Sequence, residues 1–354
     1  MAISEAKLNE FLGKAVSDMG AAMSAALVMI GDRLGIYRAM AGAGPLTSAE
    51  VAARCGCGER YIREWLLNQA AGGYVRYHSG DGTYSLPEEQ AFCLADPQSP
   101  GYICGAFDII QSVNRDEPKL EQAFKTGKGI AWGDHDACLF CGTERFFAAG
   151  YRANLVSSWI PALEGVAEKL RAGARAADIA CGHGASTIIM AKEFPASEFV
   201  GFDSHEPSIR CAERKAKEAG VRNVSFEVAD ATSFHKPPSG DAYDFIATFD
   251  ALHDMGDPVG CAAQVGKRLK KDGSWMIVEP FASDRLEENL NPVGRTFSAA
   301  STMICVPASL ATNGPALGAQ AGPARLKDVV MRGGLKRFRV ATTTPFNLVI
   351  EARP

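Results

Sequence analysis

The sequence predicts an α/β protein: a doubly wound sheet in the C-terminal half, behind an all-helical N-terminal region that ends in a winged-helix pattern. Two observations carry this. From residue 176 onward, short apolar strands alternate with helical stretches, the signature of a sheet covered on both faces. Before residue 100 the apolar spacing is helical and is interrupted by a single hairpin-like segment. Three segments follow: a winged-helix and dimerisation domain over 1–100, a helical linker and active-site lid over 101–170, and the α/β domain over 171–354.

Composition narrows the class. A chain of 354 residues exceeds a typical single domain. Hydrophobic content of 47% provides ample core, and charged content of 22% is ordinary for a globular protein. A net charge of -4 argues against a dedicated nucleic-acid binder, whose phosphate contacts need a basic surface. Ten cysteines scatter from Cys55 to Cys305 without a regular framework, as reduced thiols in a cytosolic enzyme do. The start, Met1-Ala2-Ile3-Ser4-Glu5-Ala6-Lys7, has no basic run before an apolar stretch, so it does not read as a signal peptide. The apolar stretch 21–30 is too short to span a bilayer and closes at Asp32 and Arg33. The expectation is a cytoplasmic protein with no membrane partner.

The N-terminal elements follow in order. Leu8, Phe11, Leu12, Ala15, Met19, Ala22, Met23, Ala26 and Met29 recur at helical spacing, as core or as a homodimer interface. Thr47 and Glu50 form a capping-box pattern that opens a short helix to Arg54. After Cys55-Gly56-Cys57-Gly58 a second helix over 59–71 carries Tyr61, Ile62, Trp65, Leu66 and Ala70 on one face. Residues 73–86 alternate and turn at Ser79-Gly80-Asp81-Gly82, a hairpin signal. The second helix pits Arg60 and Arg63 against Glu59 and Glu64, whereas a recognition helix needs unopposed donors. A structural role is therefore favoured over DNA reading. Residues 101–170 read as helical, with aromatic residues Trp132, Phe140, Phe146, Phe147, Tyr151 and Trp159. Residues 311–323 read as a loop.

The chemistry concentrates at strand ends. Ala176-Ala177-Asp178-Ile179-Ala180-Cys181 reads as a buried strand that runs into Gly182-His183-Gly184 and then a helix. Glycines there let backbone pass close to a ligand at the switch point of a parallel sheet. A second strand ends at Asp203, about 20 residues on, where an acid takes ribose hydroxyls. A third ends at Asp230, whose carboxylate can accept from an adenine amino group, and a fourth at Phe249-Asp250. A fifth, 274–280, follows an expected turn at Lys271-Asp272-Gly273, and two strands at 337–342 and 346–352 close the chain. A nicotinamide site would want a third glycine, and Thr187 stands in its place.

Together, Asp178–Gly184, Phe202-Asp203, Ala229-Asp230 and Asp250-Ala251-Leu252-His253-Asp254 resemble the motifs of class I S-adenosylmethionine-dependent methyltransferases. The whole chain resembles the bacterial small-molecule type with an N-terminal winged-helix dimerisation region. The resemblance implies a Rossmann-like seven-stranded methyltransferase sheet and S-adenosylmethionine as cofactor. It also implies roles: Asp178, Gly182 and Gly184 for the methionine part, Asp203 with Ser204 at the ribose, Asp230 and Ala231 at the adenine, and Phe249 beside the cofactor. Ala180 departs from the pattern, which usually has its first glycine there; the expectation is that it keeps a negative φ.

Methyl transfer needs an aligned acceptor and exclusion of water, and a hydroxyl acceptor gains from a base. Of six histidines, His253 and His135 fall where an acceptor could meet them. The segment from His253 is similar to the His-Asp-Trp segment of O-methyltransferases, which implies that His253 is the general base. Trp132, His135, Phe140, Arg145 and Tyr151 are expected to wall off the substrate. His135, Cys138 and Cys141 have ligand-like spacing but no clear fourth member, and Asp250, Asp254 and Asp257 lack the asparagine of a Mg²⁺ site, so no metal is assigned. The expected function is methyl transfer to a small-molecule hydroxyl by a homodimer. The alternatives are a winged-helix DNA-binding regulator that senses S-adenosylmethionine, and an S-methyltransferase for a thiol or soft-metalloid acceptor.

Overall fold

A computed structural model describes residues 3–354; Met1 and Ala2, the first two residues of the N-terminal segment read above, lie outside the described residues. The chain forms two compact units, residues 1–112 with 141–149, and residues 113–140 with 150–354. The stretch 101–170, expected as a segment of its own, is thus divided between them.

In the first unit the helix Glu5–Arg33 is followed by Ile36–Met40, Ser48–Cys55 and Glu59–Ala71, then by strands β1 (Arg76–His78) and β2 (Thr83–Ser85). The capping box forms in full: Glu50 N–H donates to the Thr47 hydroxyl, and the Glu50 carboxylate accepts from Thr47 N–H. The antiparallel β1–β2 hairpin is the wing, and an isolated bridge from Leu46 to Tyr84 ties it to the helices. Trp65, Tyr37, Ile36, Leu66 and Val51 make the core. Gly31 is required there, because a Cβ would lie 2.6 Å from the Trp65 ring. Glu5–Arg33 is 29 residues long and passes by length and composition as a possible membrane span, longer than the apolar stretch read from sequence. Its exposed residues include Phe11, Leu12, Val16, Met19 and Met23, with Glu10 and Lys14 among them, and Asp18 is half-buried.

The second unit holds one seven-stranded sheet. Its strands are β3 (Arg175–Ile179), β4 (Glu198–Asp203), β5 (Val224–Val228), β6 (Tyr243–Phe249), β7 (Leu269–Pro280), β8 (Arg337–Thr343) and β9 (Asn347–Arg353), in the order β5-β4-β3-β6-β7-β9-β8. The first five are parallel, and β9 inserts antiparallel between β7 and β8. Parallel strands buried on both faces need continuous apolar runs, and β6 and β7 supply them with Ile246, Ala247, Trp275, Met276 and Ile277, all inaccessible to solvent. The Trp275 indole keeps a partner there by donating to the Thr248 hydroxyl at 3.0 Å.

The turn expected at Lys271-Asp272-Gly273 lies inside β7. The register passes from Tyr243 opposite Leu269 to Phe245 opposite Ser274, so the extra residues bulge out of the strand instead of ending it. A Cβ on Gly273 would sit 2.2 Å from the Leu269 side chain and 3.0 Å from the Lys270 carbonyl, so the bulge closes tightly around this glycine. Strand order reverses between β3 and β6, and the crevice at their carboxyl ends is the place such sheets offer a ligand.

Candidate active site

The floor of the crevice is the turn after β3. Ala180 has φ +58°, Gly182 +53° and Gly184 +76°, and Gly184 leads into the helix Ala185–Glu193. Ala180 therefore corrects the expectation of a negative φ. The chain must leave a buried strand and enter a helix within a few residues, and the turn is pinned on both sides. Cys181 N–H donates to the Phe202 carbonyl at 3.0 Å, and Gly184 N–H to the Cys181 carbonyl at 2.9 Å. A methyl group in this left-handed conformation costs about 1–2 kcal/mol. The two glycines differ in purpose. A Cβ on Gly184 would strike the Phe226 ring at 2.7 Å, whereas one on Gly182 would meet nothing within 4 Å, which leaves open space over the turn.

Asp178 is inaccessible to solvent within β3. Its Oδ2 accepts from the Ser186 hydroxyl at 2.6 Å and the Thr187 hydroxyl at 2.7 Å, while its Oδ1 has no partner. Burial pushes this carboxyl up to about 7. Thr187, notable in the sequence only as a missing glycine, is thus one of two hydroxyls that orient the acid. Asp203 ends β4 and ties two segments together: Oδ2 accepts from Gly182 N–H and Oδ1 from His205 N–H, both at 2.8 Å. Burial raises its pKa as well. Ser204 beside it is exposed. Asp230 is exposed and closes its own turn by accepting from Thr232 N–H at 2.8 Å, with Ala231 half-buried next to it.

Phe249 is buried at the end of β6, and Asp250 follows with φ +49°. The Tyr151 ring packs 5.1 Å from Phe249, and its hydroxyl donates to Asp250 Oδ2 at 3.4 Å. Asp250 Oδ1 has no partner, and burial, reinforced by the charge of Glu279, holds its pKa well above the usual range. Two buried, unpartnered carboxylate oxygens beside an open glycine turn suit an ammonium, the group that the amino acid part of S-adenosylmethionine carries.

His253 lies on a short 3-10 turn, Leu252–Asp254, at the same sheet edge and is 3% exposed. Its Nδ1 is 2.5 Å from Glu279 Oε2, and Glu279 Oε1 accepts from Leu252 N–H at 3.0 Å. A carboxylate only accepts, so Nδ1 carries a proton toward Glu279 and Nε2 faces away from it. Nε2 meets the Cys305 sulfur at 3.2 Å. Burial opposes the imidazolium, but the charges of Glu279 and Cys305 outweigh it and raise the ring's pKa well above its ordinary value. Glu279 stands one residue from the end of β7, and Cys305 ends a π-helical turn, Ser301–Cys305. Sequence reading assigned neither. The only available signal was a carboxylate at the end of a core strand, where polar residues are rare without a task.

The residues of the expected substrate wall divide between the two units. Trp132, Phe140, His135 and Tyr151 belong to the second unit. Phe140 stacks on His205 with centroids 4.7 Å apart, and Trp132 packs edge-on to Phe140 at 5.5 Å, so this cluster borders the loop after Asp203. His135 is buried and held by Asp116 through Nδ1 at 2.9 Å. Arg145 requires a correction. It lies in the first unit, where its guanidinium pairs with Asp108, with Asp32 at 2.5 Å and with the Tyr102 hydroxyl, so its two terminal nitrogens are engaged within that unit. Of the His135, Cys138 and Cys141 spacing, Cys138 takes a hydrogen bond from Arg115 at 3.2 Å, and Cys141 is exposed in the first unit. Asp257 caps a helix by accepting from Gly260 N–H at 2.7 Å.

Residues 170–322 match the family model of a methyltransferase domain, and residues 22–96 match that of an Rv2258c-like winged HTH domain. The sequence is 30% identical to the uncharacterized methyltransferase YcgJ of Bacillus subtilis (strain 168) over 127 residues, 35% of this chain and 49% of that protein. The match thus spans about half the length of that curated relative. Two solved structures share the fold. PigF with SAH has a TM-score of 0.71 at 15% identity over 100% of both chains. Human N-acetylserotonin methyltransferase in complex with SAM has a TM-score of 0.66 at 17% identity, over 100% of this chain and 99% of that one. Residues 170–322, which carry this sheet order, glycine turn and strand-end acids, are thus a methyltransferase domain, and its cofactor is S-adenosylmethionine. A winged HTH domain, residues 22–96, precedes it.

Proposed function

We propose that this protein moves the methyl group of S-adenosylmethionine to a hydroxyl of a small molecule, with His253 as general base. The observation that carries the reading is the buried His253–Glu279 pair at 2.5 Å, which holds Nδ1 and leaves Nε2 on the side away from Glu279. The cofactor supplies an electrophilic methyl on a sulfonium. Asp178 would hold its ammonium through Oδ1, Asp203 its ribose and Asp230 its adenine, with Gly182 leaving room over the turn. Phe249, Tyr151, Trp132 and Phe140 would exclude water and offer aromatic faces to a sulfonium. Nε2 then accepts the acceptor's proton as the C–O bond forms, and Glu279 stabilises the resulting imidazolium. The ring is strongly basic beside Glu279 alone; positive charge brought in next to it lowers its pKa toward neutrality, where a general base works best. Cys305 occupies the donor position at Nε2, which an acceptor hydroxyl would have to take over.

His253→Ala tests this. Cofactor affinity should hold while turnover of a hydroxyl substrate falls roughly 100-fold or more, in the range general bases supply. Unchanged turnover would leave positioning alone as the source of catalysis.

A homodimer through the exposed apolar stripe of Glu5–Arg33 and a cytoplasmic setting complete the proposal. The ten cysteines, none of them paired with another, suit a reducing compartment. The regulator reading fares less well, because Arg60 pairs with Glu64 at 2.5 Å and Arg63 with Glu59 at 2.8 Å on the helix that would read DNA. Salt-resistant, sequence-specific retardation of DNA would reverse that preference.

A further inference from the structure

The side chain that meets Nε2 of the proposed base is a thiol, and a third donor stands beside it. One donor atom each from His253, Asp254 and Cys305 lies within 4.8 Å of the others. The first two come from a single 3-10 turn, and the third from the π-helical turn Ser301–Cys305. A π-turn inserts an extra residue into a helix and often marks a site at which one side chain must be aimed.

We infer that His253 Nε2, Cys305 Sγ and an Asp254 carboxylate oxygen form a binding site for one Zn²⁺ ion, with a fourth position open. Donor chemistry selects the ion. Imidazole, thiolate and carboxylate together suit zinc, whereas magnesium and calcium take all-oxygen sets. Tetrahedral zinc with ordinary bond lengths separates its nitrogen and sulfur ligands by about 3.6 Å. The observed 3.2 Å is reached from that value by a small rotation of Cys305. The outer partner is also in place. Zinc-bound histidines donate their other N–H to a carboxylate, which fixes the ring and strengthens the ligand, and Glu279 takes that bond here. Binding would release to solvent the proton held between Cys305 Sγ and His253 Nε2 and form Zn–S and Zn–N bonds with no change in oxidation state. An ion in this position takes up the Nε2 lone pair, so the site and the general-base role exclude one another in time. The site stands on its three donors and does not depend on which molecule accepts the methyl group.

The test uses the full chain, stripped with a chelator and titrated with Co²⁺ as a spectroscopic stand-in for zinc. One equivalent should give an intense near-ultraviolet thiolate-to-cobalt band and the visible bands of a four-coordinate ion, both erased by Zn²⁺. Cys305→Ser should abolish the near-ultraviolet band, and Asp254→Asn should weaken binding at least 10-fold. A band that survives in Cys305→Ser puts the ion on other cysteines and overturns the site. X-ray absorption of the zinc-loaded wild type supplies a readout free of variants. One sulfur neighbour near 2.3 Å is expected; a shell without sulfur, or no retained zinc, overturns the inference. S-adenosylhomocysteine affinity, measured on the same samples, reports on the methyltransferase reading separately.

Discussion

Replacing Asp178 by Asn should make the cofactor-free protein more stable at alkaline pH and poorer at binding its cofactor. The amide is isosteric, and its oxygen can still accept from Ser186 and Thr187, so the geometry of the turn is kept. What changes is the charge and the orphan atom. In the folded chain this carboxyl titrates at about 7 against an ordinary 3.8, because burial disfavours its charged form. Between those values the unfolded chain has lost the proton and the folded chain still holds it. The unfolded state then binds fewer protons, and stability falls as pH rises from about 4 through about 7. At about 1.4 kcal/mol per pH unit the gap amounts to on the order of 4 kcal/mol at pH 8. Denaturant unfolding of both proteins at pH 5 and pH 8 measures it, and the variant's advantage should grow between the two. Its affinity for S-adenosylhomocysteine should drop roughly 10- to 100-fold, the value of a charge-assisted hydrogen bond. Equal stability of the two proteins at pH 8, together with equal affinity, would refute the claim that this acid is held in readiness for a cation.

Three further outcomes are expected. Ala180→Gly removes the left-handed strain of about 1–2 kcal/mol but adds freedom to the unfolded chain, so a net gain of about 0.5–1 kcal/mol should appear in denaturant unfolding; a loss would mean that the turn is unstrained. Glu279→Gln should lower turnover at least 10-fold with cofactor affinity unchanged, since it frees the His253 ring without touching the glycine turn; parallel losses in both would indicate a structural role. Met23→Asp places a charge on a residue 77% exposed in the apolar stripe of Glu5–Arg33. Light scattering should then report half the wild-type mass, and an unchanged mass would remove this helix from the interface.

The parts of the fold legible in the sequence were those governed by local rules. The capping box at Thr47 and Glu50, the helix Glu59–Ala71 and the strand-end acids sit where periodicity and turn chemistry put them. The Lys271-Asp272-Gly273 bulge was not legible, because the same residues make a turn or a bulge according to the partner strand. Ala180 shows the same limit at a single residue: an L-amino acid disfavours positive φ, and only hydrogen bonds from β4 and the following helix overrule that preference. Arg145 looked like a substrate contact because an arginine among aromatics is often one. Its partners Asp32 and Asp108 are 113 and 37 residues away in sequence, and no local pattern connects them. Glu279 and Cys305 were missed for the same reason, since each acquires meaning only by meeting His253 across 26 and 52 residues.

The central claim is that the carboxyl edge of this sheet holds S-adenosylmethionine and that the histidine beside it acts on the acceptor. Calorimetric titration of S-adenosylhomocysteine into wild type, Asp203→Ala and His253→Ala tests it most directly. Asp203 is the acid proposed to hold the ribose, and it ties Gly182 to His205, so its loss should abolish the heat of binding, while wild type and His253→Ala should each bind one equivalent per chain with similar affinity. Equal binding by Asp203→Ala, or no binding by the wild type, would contradict the account.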